Sequence, residues 1–181
     1  MTDLPGGFGA HVANIGIKDD TPDFVVVASD RPVPAVGLFT RSRFAGPSVV
    51  LSRAHLADGH AQAIVVVSKN SNVATGPQGD DDAVELAQLV AERIGCDVTD
   101  VVVTSTGVIG RTYPMDRVRA GAAAVPDRPS AVAAEPAAAG MMTTDTHPKV
   151  AAASVGGSGA RVVGLAKGVG MIEPDMATHI S

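Results

Sequence analysis

The sequence predicts a strand-rich α/β domain, on three observations. Apolar runs of strand length, FVVVAS (24–29), AIVVVS (63–68) and VVVT (101–104), are dominated by β-branched valine. An amphipathic stretch with helical spacing lies between the last two of them. Aromatic residues make up only 3% of the 181 residues, and there is no Trp. The core must therefore be built from Val, Ala, Leu and Ile in closely packed layers of sheet and helix. The length suits one domain with a real core, or a large piece of one.

Taken in order, residues 7–17 read as an opening strand, closed by the polar turn Lys18-Asp19-Asp20-Thr21-Pro22. Residues 24–29 and 35–40 (AVGLFT) then read as a strand pair around an Asp30-Arg31-Pro32 turn. The unbroken apolar run 63–68 suggests a strand buried on both faces. A helix is predicted to start after Asp80-Asp81-Asp82, whose carboxylates suit the free N–H groups and positive dipole end of an N-terminus. Leu86, Val90 and Ile94 give it one apolar stripe, and Gly95 a stop. Residues 101–104 form the next buried strand. Pro114 opens a second helix with Val118 on its inner face, and Pro126 ends it. Residues 126–140 (PDRPSAVAAEPAAAG) read as a loop or a short, Pro-interrupted helix. Residues 149–155 and 160–165 flank Gly156-Gly157-Ser158-Gly159, the signal of a hairpin. The last stretch, 167–178, is Gly-rich.

Composition excludes several functions. The net charge is −5 with scattered basic residues, which does not match a nucleic-acid footprint. No run of about 18 apolar residues exists to span a membrane, and the N-terminus lacks the basic and apolar regions of a signal peptide. The lone Cys96 follows a helix-stopping Gly, so it reads as a structural thiol and cannot form an internal disulfide. A cytoplasmic location is expected, with neither nucleic acid nor membrane as partner. His11, His55, His60, His147 and His179 show no metal-binding spacing, and His55 and His60 read as solvated. Neither a metal nor a cofactor is expected.

Four short polar segments could carry chemistry. NSNVATG (70–76) follows the 63–68 strand, and on its own is best read as an Asn/Gly turn. TSTGVIG (104–110) follows the 101–104 strand; its Thr-Gly pair could aim N–H groups and a hydroxyl at an oxyanion, although an ordinary loop is commoner. MTTDT (142–146) sets hydroxyls beside one carboxylate, for which helix capping is the plain explanation. AKGVGM (166–171) has a Gly-x-Gly and a Lys without the full phosphate-loop spacing, so nucleotide binding is rejected.

Read together and in order, FTRSRFAGPSVV (39–50), NSNVATG (70–76), STGVIG (105–110), MTTDTHPK (142–149) and AKGVGMIEPDMAT (166–178) resemble the ornithine acetyltransferase, or ArgJ, family. The wording EPDMAT (173–178) is similar to the variant of clavulanic-acid gene clusters. The resemblance implies a fold of two sheets sandwiched between helix layers, superficially like N-terminal-nucleophile hydrolases but with different connectivity. It implies a precursor that cuts itself between Ala177 and Thr178. Residues 1–177 would be the upstream (alpha) chain, and 178–181 the start of a downstream (beta) chain. The freed Thr178 α-amine, with an ordinary pKa of about 8, would act as base for its own hydroxyl. That hydroxyl would carry an acetyl group from N2-acetylornithine to glutamate by a ping-pong route.

By the same resemblance Thr106 and Gly107 lie at the oxyanion hole, where loss of one donor costs about 2.7–4 kcal/mol. Thr143 and Lys167 line the substrate pocket with Thr178, and Thr144 is the neighbouring alternative to Thr143. The partner is a beta chain from the same precursor, in an oligomer of alpha–beta heterodimers. The family continues after MAT with an apolar run and a long second half, whereas here His179-Ile180-Ser181 follow, so no catalytic residue of that half can be assigned. Two other readings stand beside this one: an aminopeptidase of a related self-processing fold, and an inactive half that binds a beta-chain partner.

Overall fold

The computed structural model describes residues 1–169 and 179–181. Four strands form its main sheet: β1 (Phe8–Ala13), β2 (Phe24–Pro34), β3 (His60–Asn70) and β4 (Val101–Val108), in the order β1-β2-β3-β4. The first two pairings are antiparallel and β3–β4 is parallel. A parallel neighbour needs a crossover, and helix α2 (Gly76–Ile94) supplies it. The remaining helices are α1 (Pro47–His55), α3 (Met115–Ala123) and α4 (Ala134–Met141). Strands β5 (Lys149–Ser154) and β6 (Arg161–Ala166) make the expected hairpin, a second, two-stranded sheet.

The strand period of two divides the core. Phe24, Val26 and Ala28 of β2 join Val65 and Val67 of β3, Val101 and Val103 of β4, and Leu86, Val90 and Val118 of the helices. The alternate residues Val25 and Val66 point the other way, packing with Ala10, Ala134, Ala137 and Met141 and with Val150, Val163 and Leu165 of the hairpin. The main sheet thus separates α1–α3 from α4 and the hairpin, a mixed α/β architecture. Val65, Val66, Val67 and Ser68 are all buried, so this part of β3 is covered on both faces, whereas Ile64, within the predicted run 63–68, is exposed.

Several boundaries differ from the sequence expectation. The opening strand is shorter, ending at Ala13, because Asn14 and Asp23 bind the backbone of the following turn: the Ile15 and Lys18 N–H groups donate to Asp23, at 2.8 and 2.7 Å. Asp30-Arg31-Pro32 is not a turn. Strand β2 runs through it to Pro34, and its register against β3 jumps between Ala28 and Val33. The Ser29 hydroxyl makes that bulge possible by lying within hydrogen-bonding distance of the Arg31 and Gln62 carbonyls. Residues 35–40 form no strand, and Val36 and Leu38 are exposed.

Helix α1 has no apolar stripe to announce it. Its buried residues are Ser48 and Ser52, and the Ser52 hydroxyl donates to the Val103 carbonyl (2.7 Å) while accepting from its N–H (2.9 Å). Helix α2 starts at Gly76 with Pro77 in its first turn, so Asp80-Asp81-Asp82 do not cap it. Asp82 is instead buried and bonded by the Gln78 amide. Leu86 and Val90 form the predicted stripe with half-buried Ile94 against them, and Gly95 ends the helix in a left-handed conformation (φ 77°). Helix α3 stops at Ala123, short of Pro126. The Ala-rich stretch yields a true helix, α4, with Pro136 in its first turn, where no N–H is needed. Among the described residues, no helix is long and apolar enough to cross a membrane.

Candidate active site

Strands β3 and β4 are parallel and end side by side, pairing Ser68 with Thr106, Lys69 with Gly107 and Asn70 with Val108. Polar segments 70–76 and 104–110 therefore sit together at the carboxyl end of neighbouring parallel strands. The contact between the strand ends is close. A Cβ added at Gly107 would lie 2.1 Å from the Lys69 carbonyl carbon, and Gly107 has φ 141°, so only glycine fits. Lys69, Asn72 and Ala74 all take left-handed backbone (φ 75°, 48° and 59°). Side-chain bonds hold this path in place: the Asn70 amide donates to Thr112 O, its carbonyl oxygen accepts from Asn72 N–H, and Thr75 donates to Asn72 Oδ1.

Alternation along β4 sends Ser105 and Thr106 to opposite faces. The Ser105 hydroxyl bonds the Ser71 carbonyl at 2.8 Å and lies 3.1 Å from the Ser48 hydroxyl, which is itself 3.1 Å from the buried Tyr113 hydroxyl. Burial first, opposed by hydroxyl bonds, raises the Tyr113 pKa. Thr106 faces the other way, toward Lys167.

Lys167 is only 2% exposed, and its ammonium donates to Thr106 Oγ1 at 3.0 Å and to Thr143 Oγ1 at 2.7 Å. Three segments far apart in the chain thus meet at one cation. Ile180 pairs with Lys167 in an antiparallel bridge: the Lys167 N–H donates to Ile180 O (2.9 Å) and the Ile180 N–H to Lys167 O (3.3 Å). Thr144 is exposed, so Thr143 is the member of the pair that faces Lys167. Ala177 and Thr178 lie outside the described residues.

The loop carrying Thr143 is held from both ends. On one side Lys18 donates to the carbonyls of Pro22 (2.8 Å), Gly140 (3.4 Å) and Met142 (2.6 Å), and Ser68 also donates to Gly140 O. A cation on the last carbonyls of α4 suits the negative end of its dipole. On the other side Asp145 Oδ2 accepts from Thr143 N–H (3.2 Å), and Asp145 Oδ1 accepts from Gly168 N–H (2.7 Å) and Lys149 Nζ (2.6 Å).

Electrostatics follow from this packing. Burial works to raise the Asp145 pKa, but the Lys149 bond and the two N–H donors outweigh it and hold the group at about 2. Burial lowers the Lys167 pKa, opposed by the Asp145 charge and assisted by Lys149. Lys18 is lowered by burial, with Asp23 opposing and Lys167 adding to the shift. All four lysines of the chain lie within Coulombic reach along the series Lys69, Lys18, Lys167, Lys149, a cationic focus in an acidic protein.

The sequence singled out Thr106, Gly107, Thr143 and Lys167, and the fold brings all four together. It missed Lys18, which lies in the polar turn 18–22, and it gave Asp145 only a capping role. The Asp145/Lys149 spacing was a visible signal of a pair; nothing local marked Lys18. His55 is not fully solvated, since its Nδ1 lies 2.7 Å from Val101 O, while His60 is exposed. Cys96 is half-buried against the core, and burial first raises its thiol pKa to about 11. Among the described residues, no group of three His, Cys, Asp or Glu side chains is placed to hold a metal ion.

The family model of ArgJ matches residues 9–181. The chain belongs to the ArgJ family. It is 51% identical over 177 residues to the arginine biosynthesis bifunctional protein ArgJ 2 of Nostoc sp., covering 98% of this chain and 45% of that one. It is 49% identical over 178 residues to glutamate N-acetyltransferase Oat2 of Streptomyces clavuligerus, again covering 98% and 45%. The chain therefore spans less than half the length of these curated relatives. Two crystal structures share the fold. The Bacillus halodurans arginine biosynthesis bifunctional protein ArgJ superposes with TM-score 0.87 at 29% identity, over 94% of this chain and 92% of that chain. Ornithine acetyltransferase of Mycobacterium tuberculosis, in complex with ornithine, gives 0.86 at 33% identity, over 93% and 91%.

Proposed function

We propose that residues 1–177 are the alpha part, and 178–181 the start of the beta part, of a self-cleaving acetyltransferase that moves the acetyl group of N2-acetyl-L-ornithine to L-glutamate in arginine biosynthesis. The observation that carries the reading is the buried Lys167 ammonium held by Thr106 and Thr143. Two of its three N–H bonds go to those hydroxyls among the described residues. In this reading the third goes to a substrate carboxylate, which a lysine binds as a point charge. Each hydroxyl accepts from Lys167 and so keeps its own O–H to donate. In this reading the Thr106 hydroxyl and the backbone at Gly107 stabilise the oxyanion, and the Thr143 hydroxyl orients the substrate.

Chemistry starts at the Ala177–Thr178 bond, with residues 1–177 upstream. The Thr178 hydroxyl attacks the Ala177 carbonyl carbon, and the Thr178 nitrogen leaves as an amine, giving an ester. Water then attacks that ester, releasing Ala177 as a carboxylate and restoring the hydroxyl. With its α-amine as base, Thr178 next attacks the acetyl carbonyl of acetylornithine. The proton passes through the amine to the departing ornithine nitrogen. The amine of glutamate attacks the acetyl-threonine ester and leaves as N-acetylglutamate. Two facts support this scheme. Relatives carry the names glutamate N-acetyltransferase and ornithine acetyltransferase. Ile180, two residues past Thr178, pairs with Lys167. A beta chain completes the site, in an assembly of alpha–beta heterodimers in the cytoplasm. Covering nine-tenths of the solved chains but under half of the curated relatives is the pattern expected of proteins divided into two chains.

The test is an intact mass of the protein from its complete reading frame, followed by incubation with N2-acetylornithine with and without glutamate. Two fragments meeting at Ala177/Thr178 and glutamate-dependent transfer are expected. Deacetylation that ignores glutamate would indicate the self-processing aminopeptidase instead, and an uncut product would remove Thr178 as nucleophile.

A further inference from the structure

Asp145 is the one side chain among the described residues that bonds the backbone of both the Thr143 and the Lys167 segments of the site. Its carboxylate takes the N–H of Thr143 on one oxygen and the N–H of Gly168 on the other, 23 residues further along. These two N–H groups flank the contact between Thr143 Oγ1 and Lys167 Nζ. The carboxylate side chain is 1% exposed, and a charge that deeply placed needs an opposite partner. Lys149, four residues on and one-third exposed, supplies it at 2.6 Å. One charged group therefore fixes how far the Thr143 loop stands from the Lys167 strand end.

We propose that Asp145, with Lys149 as its counter-charge, is a positioning residue that holds Lys167 and Thr143 at the separation needed to bind the substrate carboxylate. This deepens the transferase reading and rests on it. Asp145 touches no substrate in this account; it acts through Lys167. A change in the 143–168 spacing of a fraction of an ångström lengthens a charge-assisted bond whose strength depends on distance. If Asp145 merely anchors a loop, its loss lowers the amount of folded protein but leaves each folded site binding normally.

The experiment uses the complete precursor carrying Asp145→Asn, Lys167→Met or both, with L-ornithine binding measured by calorimetry, acetyl transfer by steady-state kinetics and thermal melting alongside. Asp145→Asn is expected to weaken ornithine binding at least tenfold per folded site. In the Lys167→Met background the same substitution should change binding less than twofold, because the residue it acts through is gone. Binding within twofold of the parent, or an equal loss in both backgrounds, overturns the proposal. Should Asp145→Asn fail to fold, Lys149→Met decides in its place: a loss of threefold or more supports the proposal, and binding within twofold of the parent overturns it. The transferase reading fails separately. A parent that binds ornithine but transfers no acetyl group refutes that reading and leaves the positioning role to be judged on binding, whereas a parent that binds no ornithine overturns both.

Discussion

Adding one carbon at Gly107 tests how closely the ends of β3 and β4 must approach. The cost has two parts. Backbone at φ 141° is open to glycine and costs an L-residue about 1–3 kcal/mol. The new Cβ would also stand 2.1 Å from Lys69 C, 2.3 Å from Lys69 O and 2.6 Å from Asn70 N, all backbone atoms of the neighbouring strand. Carbon atoms prefer roughly 3.5–4.0 Å, so the strands must part by more than an ångström there and weaken the last ladder bonds, each worth about 1 kcal/mol. Gly107→Ala should therefore cost about 4 kcal/mol or more. Gly110→Ala is the matched control. Gly110 is also left-handed (φ 81°), yet its Cβ would meet nothing within 4 Å, so it should cost only the backbone strain of about 1–2 kcal/mol. Calorimetric melting of both variants and the parent, made from the complete reading frame, gives the comparison. A Gly107→Ala loss within about 1 kcal/mol of the Gly110→Ala loss would show that the strand ends do not press on each other as described.

Three further outcomes follow from the same packing. Asp145 has its pKa lowered from 3.8 to about 2 on folding, so its contribution is present above pH 4 and lost as pH falls toward 2. Denaturant unfolding should show Asp145→Asn closing the gap to the parent by about 2 kcal/mol across that window, and parallel curves would refute the assignment. Lys18→Met removes the charged donor from three carbonyls and should lower stability by roughly 2–4 kcal/mol, read as a lower melting midpoint. Cys96, with its thiol raised to about 11, should react with a disulfide reagent at pH 8 far more slowly in the native protein than in urea; equal rates would mean the thiol is not packed against the core.

The sequence by itself determined the periodic elements, the order of the polar segments and the family. Val-rich runs name β2, β3 and β4, and the Leu86/Val90/Ile94 stripe names α2, because an apolar period is written locally and burial follows it. The paired glycines predict the β5–β6 hairpin for the same reason. Ordered motifs point to Thr106, Gly107, Thr143 and Lys167. Tertiary structure decided what depends on partners distant in the chain. Helix α1 buries serines whose value comes from the Val103 backbone, so no apolar stripe reveals it. Strand β2 crosses Asp30-Arg31-Pro32 because a Ser29 bulge and β3 carry it through, against the local turn signal. Helix α2 starts at Gly76, ahead of the acidic run, and Asp82 is drawn into the interior. The site itself is the clearest case. Lys167 meets hydroxyls 61 and 24 residues away, and Lys18 grips carbonyls more than 120 residues along the chain. Hydrogen bonds between such residues form only when the sheet and α4 have set the distances, and no local pattern of residues encodes them.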